Sequence, residues 1–218
     1  MTPLEYAETI CYSSKETLHL SYNIAKMLKG QEGAFVECGV AAGAQVIAMA
    51  AADSQRDIFA FDSFQGIPLP SNRDDQMPGI RMLSKEEIEN LPNPGQQYLI
   101  TTGATSVSLD DFYTHIYNSG LTGHYICPVV GWFEDTTSEW NAGKILLLRL
   151  DGDLYNSTIV CLRNLFKHVP VGGFVIIDDY ALKGCREACE DFFIEINYAP
   201  EYSFIEGKGY KVAYFQKK

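Results

Sequence analysis

The sequence predicts a doubly wound α/β fold, with mostly parallel strands, helices on both faces of the sheet, and a closing hairpin. Three observations carry that prediction. Short, continuous apolar runs (AFVECGV, IFAFD, ILLLRL and VIIDDY) recur along the chain, and such runs fit strands covered on both faces, as in a parallel sheet. Helical patterns lie between them, and strands alternating with helices build a doubly wound sheet. The tail EYSFIEGKGYKVAYFQ is two alternating runs joined by GKG, which is a hairpin signal.

Taken in order, the elements read as follows. From about Ser13 to Lys29, Leu18, Ile24, Ala25 and Leu28 recur at helical spacing and Gly30 supplies a stop. AFVECGV is the first strand, followed by a Gly/Ala turn, the helical run QVIAMAAAD and the strand IFAFD. From Ser63 to about Thr105 the rhythm breaks. This stretch holds Pro68, Pro70, Pro78, Pro92 and Pro94, and its one short helical pattern lies near SKEEIENL. A connection that long within a compact domain is usually a functional lid or insertion. SLDDFYTHIY then reads as a helix capped by Ser108, with Asp110 and Asp111 in its first turn. The strands HYICPVVGWF, ILLLRLDGD and VIIDDY follow. With no repeats and no low-complexity tract, the 218 residues read as one domain. Its first 30 or so residues form an N-terminal helical segment, and residues 63–105 form the lid.

Bulk properties exclude several classes. Apolar residues make up 46% of the chain and charged residues 21%, which is ordinary globular composition for one full core. No apolar run reaches the ~18 residues a membrane helix needs. The start MTPLEYAETI lacks the basic and apolar zones of a signal peptide, so a cytoplasmic protein is expected. The formal net charge of −11 opposes binding to nucleic acid or an anionic membrane, and as a solubility device it says little about a neutral substrate. Six cysteines occur without a C-x-x-C pair, which points to reduced thiols, and the four histidines are scattered without zinc-ligand spacing. A homodimer is the default expectation for a soluble chain of this kind.

Two constellations carry chemistry. In AFVECGVAAG a strand ends at Glu37-Cys38, and Gly39 and Gly43 follow. Glycine lets a backbone approach a ligand closely, although this spacing fits a tight structural turn as well as a site and lacks the dinucleotide fingerprint G-x-G-x-x-G. The next strand ends in Asp62, where a sheet of this type grips a ribose. The second constellation is sharper. Asp151 and Asp153 end one apolar run, and Asp178 and Asp179 end a later one. Side chains two apart on a strand share a face, so Asp151 and Asp153 are expected to point into one cavity. Four carboxylates on one rim repel each other unless a cation joins them, and hard oxygen ligands suit Mg²⁺, Mn²⁺ or Ca²⁺. Acids that merely cap the following helices are the plainer alternative, but two pairs after successive apolar strands exceed what capping needs.

In combination, FVECGV, FDSFQGIP, VVGWFEDT, LRLDGDLYNST and GGFVIIDDY resemble the macrocin O-methyltransferase family, whose members methylate sugar hydroxyls on macrolides and related natural products. The resemblance runs in order from about Ala34 to Tyr180 and continues through GCREACEDFF. It implies a Rossmann-like, class I S-adenosyl-L-methionine-dependent sheet whose last two strands come from the terminal hairpin. It implies Mg²⁺ (or Mn²⁺) on Asp151, Asp178 and Asp179, with Asp153 as general base. It also implies a donor site lined by Glu37, Gly39, Asp62 and Ser63, with Trp132 near the adenine. The implied reaction moves a methyl group to a metal-coordinated hydroxyl of a small-molecule acceptor, a sugar or glycosylated natural product. One departure stands out: AAGAQ occupies the place of a more usual basic, glycine-rich turn with serine.

The chemistry is consistent with that implication. Alkyl hydroxyls hold their protons tightly, so a cation that lowers the hydroxyl pKa and a base within reach are both useful. In-line placement of the sulfonium methyl supplies much of the remaining rate. Two other readings compete. A nicotinamide-dependent oxidoreductase would lack its fingerprint turn and gain nothing from four aspartates. A non-catalytic S-adenosylmethionine-binding protein would not need Asp153 and the Asp178-Asp179 pair, all of which are present.

Overall fold

Ala34–Cys38 form β1, and all five residues are buried. The computed structural model, which describes residues 1–68, 70–74, 106–121 and 125–218, explains why: both faces of this strand are covered. Phe35 packs into one apolar cluster, and Val36 and Cys38 pack into another on the opposite side. Each such side chain contributes roughly 1.5–3 kcal/mol on burial, which is why an uninterrupted apolar run is stable here.

Two helices precede β1. α1 (Pro3–Ile10) opens with a capping box between Thr2 and Glu5 and has Pro3 in its first turn. α2 (Lys15–Met27) is capped by Ser14, whose side chain accepts from the Thr17 N–H. The helix expected over 13–29 is thus α2, and α1 is a second, separate helix within the expected N-terminal helical segment. α3 (Ala44–Ala52) and β2 (Ile58–Asp62) follow. α4 (Leu109–Asn118) starts at Ser108, whose hydroxyl accepts from the Asp111 N–H as its cap position requires. β3 (Ile126–Val130) leads into the short α5 (Phe133–Thr136). β4 (Ile145–Leu150), α6 (Tyr155–Leu165), β5 (Phe174–Ile177) and α7 (Lys183–Glu195) complete the wound part. The tail forms the expected hairpin, β6 (Ser203–Gly207) and β7 (Tyr210–Gln216).

Among the described residues the sheet has seven strands in the order β3-β2-β1-β4-β5-β7-β6. The first five are parallel, while β7 runs antiparallel to both β5 and β6. The order reverses between β1 and β4, and ligands in open α/β sheets bind at such a switch point, beyond the carboxyl ends of the strands. Four cysteines are buried, Cys11 and Cys127 are half-buried, and all six are free thiols. No helix among the described residues is long and apolar enough to cross a membrane. Of the expected lid, residues 63–68 and 70–74 are described. The helical pattern near SKEEIENL lies outside the described residues.

Candidate active site

Strand register builds the site. Cys38 on β1 pairs with Leu150 on β4, and Leu150 pairs with Ile177 on β5. The residues one step further, Gly39, Asp151 and Asp178, therefore form the next row across three parallel strands. Backbone bonds continue into that row: the Asp151 N–H donates to the Cys38 carbonyl and the Asp178 N–H to the Leu150 carbonyl, both at 2.8 Å. On the other side the Gly39 N–H donates to the Phe61 carbonyl at 2.8 Å, which brings Asp62 alongside. Gly39 has φ +89°, and a Cβ there would collide with the Asp151 carbonyl oxygen, so both backbone shape and close approach demand glycine.

The row opens into a cavity of about 430 Å³ lined by Gly39, Asp62, Ser63 and Trp132 on one side and by Asp151, Asp153, Asp178 and Asp179 on the other. Each of Asp151, Asp178 and Asp179 offers one oxygen such that the three atoms lie within 4.8 Å of one another. An octahedral cation with bonds of about 2.1 Å spaces its ligand oxygens roughly 3.0 Å (adjacent) and 4.2 Å (opposite) apart. Three hard carboxylates at this separation fit Mg²⁺ after a small contraction.

Asp153 reaches the cavity by a different route from the expected one. β4 ends at Leu150, so strand alternation does not align Asp151 with Asp153. Asp153 instead sits in a turn with φ +57°, and its N–H donates to Asp179 Oδ2 at 2.9 Å. That hydrogen bond couples the two acid pairs. Asp153 lines the cavity from that turn.

A counter-charge not expected from the sequence sits among these acids. Arg149 is fully buried in β4, and its Nη1 donates to Glu37 Oε1 and Asp151 Oδ2, each at 2.8 Å. Nη2 lies 2.7 Å from Asp178 Oδ1 without the alignment of a hydrogen bond. A lone arginine inside the run ILLLRL was the available signal, because a buried charge must be paired. Burial works against its charge, but Asp178, Asp151 and Glu37 outweigh that and hold the guanidinium protonated. Glu37 is 1% exposed; it lines a smaller side chamber rather than the main cavity.

One arginine does not neutralise five acids. Burial, reinforced by Asp151 and Asp178, pushes Asp153 up to about 7. Burial pushes Asp178 up to about 6 against the pull of Arg149. Asp179 is raised by burial and then by Asp153, Asp151 and Asp178. Burial lifts Glu37 to about 8, opposed by Arg149. A carboxyl near 7 is suited to proton transfer at neutral pH.

Asp62 is committed to shaping the turn. Its Oδ2 accepts the N–H groups of Val40 and Ala41 at 2.9 and 3.1 Å, and its Oδ1 accepts that of Phe64 at 2.8 Å. Ser63 bridges Gly66 and Gln65 within the next turn. Two further segments line the cavity that the sequence analysis did not single out: Tyr12–Ser14, between α1 and α2, and Tyr210–Val212 of the hairpin. Ser13 donates to Asp178 Oδ2 at 3.0 Å, which ties the N-terminal linker to the carboxylate cluster.

Comparison with known proteins extends the geometry. Residues 14–209 match the family described as Macrocin-O-methyltransferase (TylF). The chain is 32% identical over 197 residues to 8-demethyl-8-(2,3-dimethoxy-alpha-L-rhamnosyl)-tetracenomycin-C 4'-O-methyltransferase of Streptomyces olivaceus, covering 88% of this chain and 70% of that protein. It is 31% identical over 183 residues to demethyldecarbamoylnovobiocin O-methyltransferase of Streptomyces niveus, spanning 81% of this chain and 64% of the relative. Among solved structures, the O-methyltransferase NovP is similar with a TM-score of 0.74 at 28% identity, covering 94% of this chain and 81% of that one.

Proposed function

The chain belongs to the macrocin O-methyltransferase family, and from that premise we propose that it transfers a methyl group from S-adenosyl-L-methionine to a sugar hydroxyl of a glycosylated natural product, with Mg²⁺ or Mn²⁺ as cofactor. The observation that carries the reading is the single row formed by Gly39, Asp151 and Asp178 across the switch point, with Asp153 and Asp179 beside it on one cavity. Relatives named for O-methylation of a rhamnosyl-tetracenomycin, a novobiocin precursor and mycinamicin III support the choice of acceptor. One continuous sheet supports reading residues 1–218 as one methyltransferase domain.

In this reading Asp151, Asp178 and Asp179 hold the cation, which when bound lowers the pKa of the acceptor hydroxyl. Asp153, at the cavity wall, takes the proton. Gly39, Asp62, Ser63 and Trp132 surround the donor, with Glu37 at its far end and Trp132 against the adenine. Arg149 holds Asp151 and Asp178 in place through ion pairs to one oxygen of each.

The test is calorimetry followed by assay. The protein should bind S-adenosylhomocysteine and not NAD(H). With donor and Mg²⁺ it should methylate a rhamnosylated aromatic acceptor and leave the sugar-free aglycone unchanged. Preference for NAD(H) would overturn the reading.

A further inference from the structure

Two adjacent serines, Ser13 and Ser14, stand in the short linker between α1 and α2, and both line the main cavity. Helix capping accounts for one of them. Ser14 is the N-cap of α2, and its hydroxyl accepts the Thr17 N–H at 3.2 Å. The Ser13 hydroxyl donates instead to Asp178 Oδ2 at 3.0 Å, across 165 positions of the chain.

The linker does not need that bond to stay in place. α1 packs against α3 with Ala7 fully buried, and the Tyr6 hydroxyl is hydrogen-bonded to His115 Nδ1 at 2.9 Å. α2 packs against the same helix, with Leu18, Ile24 and Ala25 in the shared core. Both ends of the linker are therefore anchored without Ser13. What the bond does fix is Asp178. Oδ1 of that carboxylate lies 2.7 Å from Arg149 Nη2, and Oδ2 accepts from Ser13. Each oxygen thus has a partner from a different element, β4 on one side and the linker on the other. A carboxylate oxygen has two lone-pair directions, so Oδ2 can accept from Ser13 and still face a cation. Carboxylates that ligate metals are held by such outer hydrogen bonds, which orient them.

We propose that Ser13 is a positioning residue of the cation site: it fixes the Asp178 carboxylate from the N-terminal linker, and a bound cation in turn fixes the linker. The neighbouring Tyr12, 66% exposed at the cavity, is then held as part of the wall. The proposal rests on the assignment of Asp151, Asp178 and Asp179 to a divalent cation above.

The probe is MnCl₂ alone, titrated calorimetrically into the full chain. Ser13→Ala should weaken Mn²⁺ by about 10- to 100-fold, while Ser13→Thr, which keeps the hydroxyl, should stay within about threefold of the parent. Mn²⁺ should also slow hydrogen exchange over residues 11–14 in the parent and in Ser13→Thr, and much less in Ser13→Ala. A merely structural tether would lower the melting temperature of Ser13→Ala in chelator and leave its Mn²⁺ affinity where it was. Unchanged Mn²⁺ affinity in Ser13→Ala, or equal weakening in Ser13→Thr, overturns the role of Ser13 and leaves the cation site standing. Unaltered exchange over 11–14 in the parent overturns the link to the linker. If the parent binds no Mn²⁺, the cation reading falls and the proposal with it.

Discussion

In the proposed mechanism Asp153 and its three acidic neighbours have different tasks although one hydrogen bond joins them. Asp179 Oδ2 accepts the Asp153 N–H, so one acid serves as scaffold for the backbone of the other. With Asp178 and Asp179 as the proposed cation ligands, Asp178→Asn or Asp179→Asn should lower activity, with partial recovery as Mg²⁺ is raised. Asp153→Asn keeps the shape without the proton acceptor. It should lose about 10²–10⁴-fold in kcat with no rescue by Mg²⁺ and near-normal donor affinity. Equal rescue of all three variants would make Asp153 a ligand instead. Arg149 belongs to the same scale. Arg149→Met leaves Glu37, Asp151 and Asp178 without their shared partner, and breaking a buried charge network by removing one member costs about 3–5 kcal/mol. Denaturant melts should show that loss, and saturating Mg²⁺ should restore part of it. A loss below about 1 kcal/mol would mean that the three acids protonate at little cost and that Arg149 is not what holds them.

At the scale of elements, the start of the Pro-rich connection is clasped to the residues that follow Asp153. Asp74 Oδ1 accepts the N–H of Tyr155, the first residue of α6, at 2.8 Å, and Asp74 Oδ2 accepts from Ser71. Gly184 at the start of α7 makes this possible, because a Cβ there would overlap the Asp74 carboxylate. Arg73 adds ion pairs to Glu187 and Asp191 at 2.9 and 2.8 Å and stacks over the Tyr155 ring at 4.1 Å. Tyr155 lies two residues beyond Asp153. Asp74→Ala should therefore cost about 1 kcal/mol of stability, as loss of a cap does, and lower kcat more than it raises the donor KM. A change in stability alone, with unaltered kcat, would show that the clasp does not reach Asp153.

On the scale of the whole molecule, the switch point between β1 and β4 concentrates acid groups, and this gives stability a distinctive pH dependence. Glu37, Asp153, Asp178 and Asp179 all titrate above the ordinary carboxylate range in the folded protein. The folded state thus holds more protons than the unfolded chain between about pH 4 and pH 8, and stability from these groups falls as pH rises through that window. In chelator the melting temperature should be higher at pH 5.5 than at pH 8. A cation that binds only the folded, deprotonated cluster reverses this. At a hundred times its Kd it contributes about 2.7 kcal/mol, which is about 5–10 °C in a domain of this size. Mg²⁺ should therefore stabilise strongly at pH 8 and weakly at pH 5.5. A melting temperature that rises with pH in chelator would contradict the acid cluster.

The order of strands and helices was legible in the sequence because local patterns encode it. The runs AFVEC and ILLLRL are apolar on both faces, Ser108 stands before its helix, and GKG joins two alternating strands. The four aspartates were legible too, since each follows an apolar run and a parallel sheet sends all such ends to one rim. α1 was equally local: Thr2, Pro3 and Glu5 spell out its start within the expected N-terminal helical segment. What the sequence could not supply was the distance between groups far apart along the chain. Only packing brings Arg149 to Glu37, 112 positions away, Ser13 to Asp178, 165 away, and Asp74 to Tyr155, 81 away. Nor does strand alternation explain Asp153, whose left-handed turn depends on a bond to Asp179, 26 positions later. Patterns of burial are written residue by residue, whereas charges and hydrogen bonds are satisfied in space, and the partner of a buried polar group is decided only when the elements close around it.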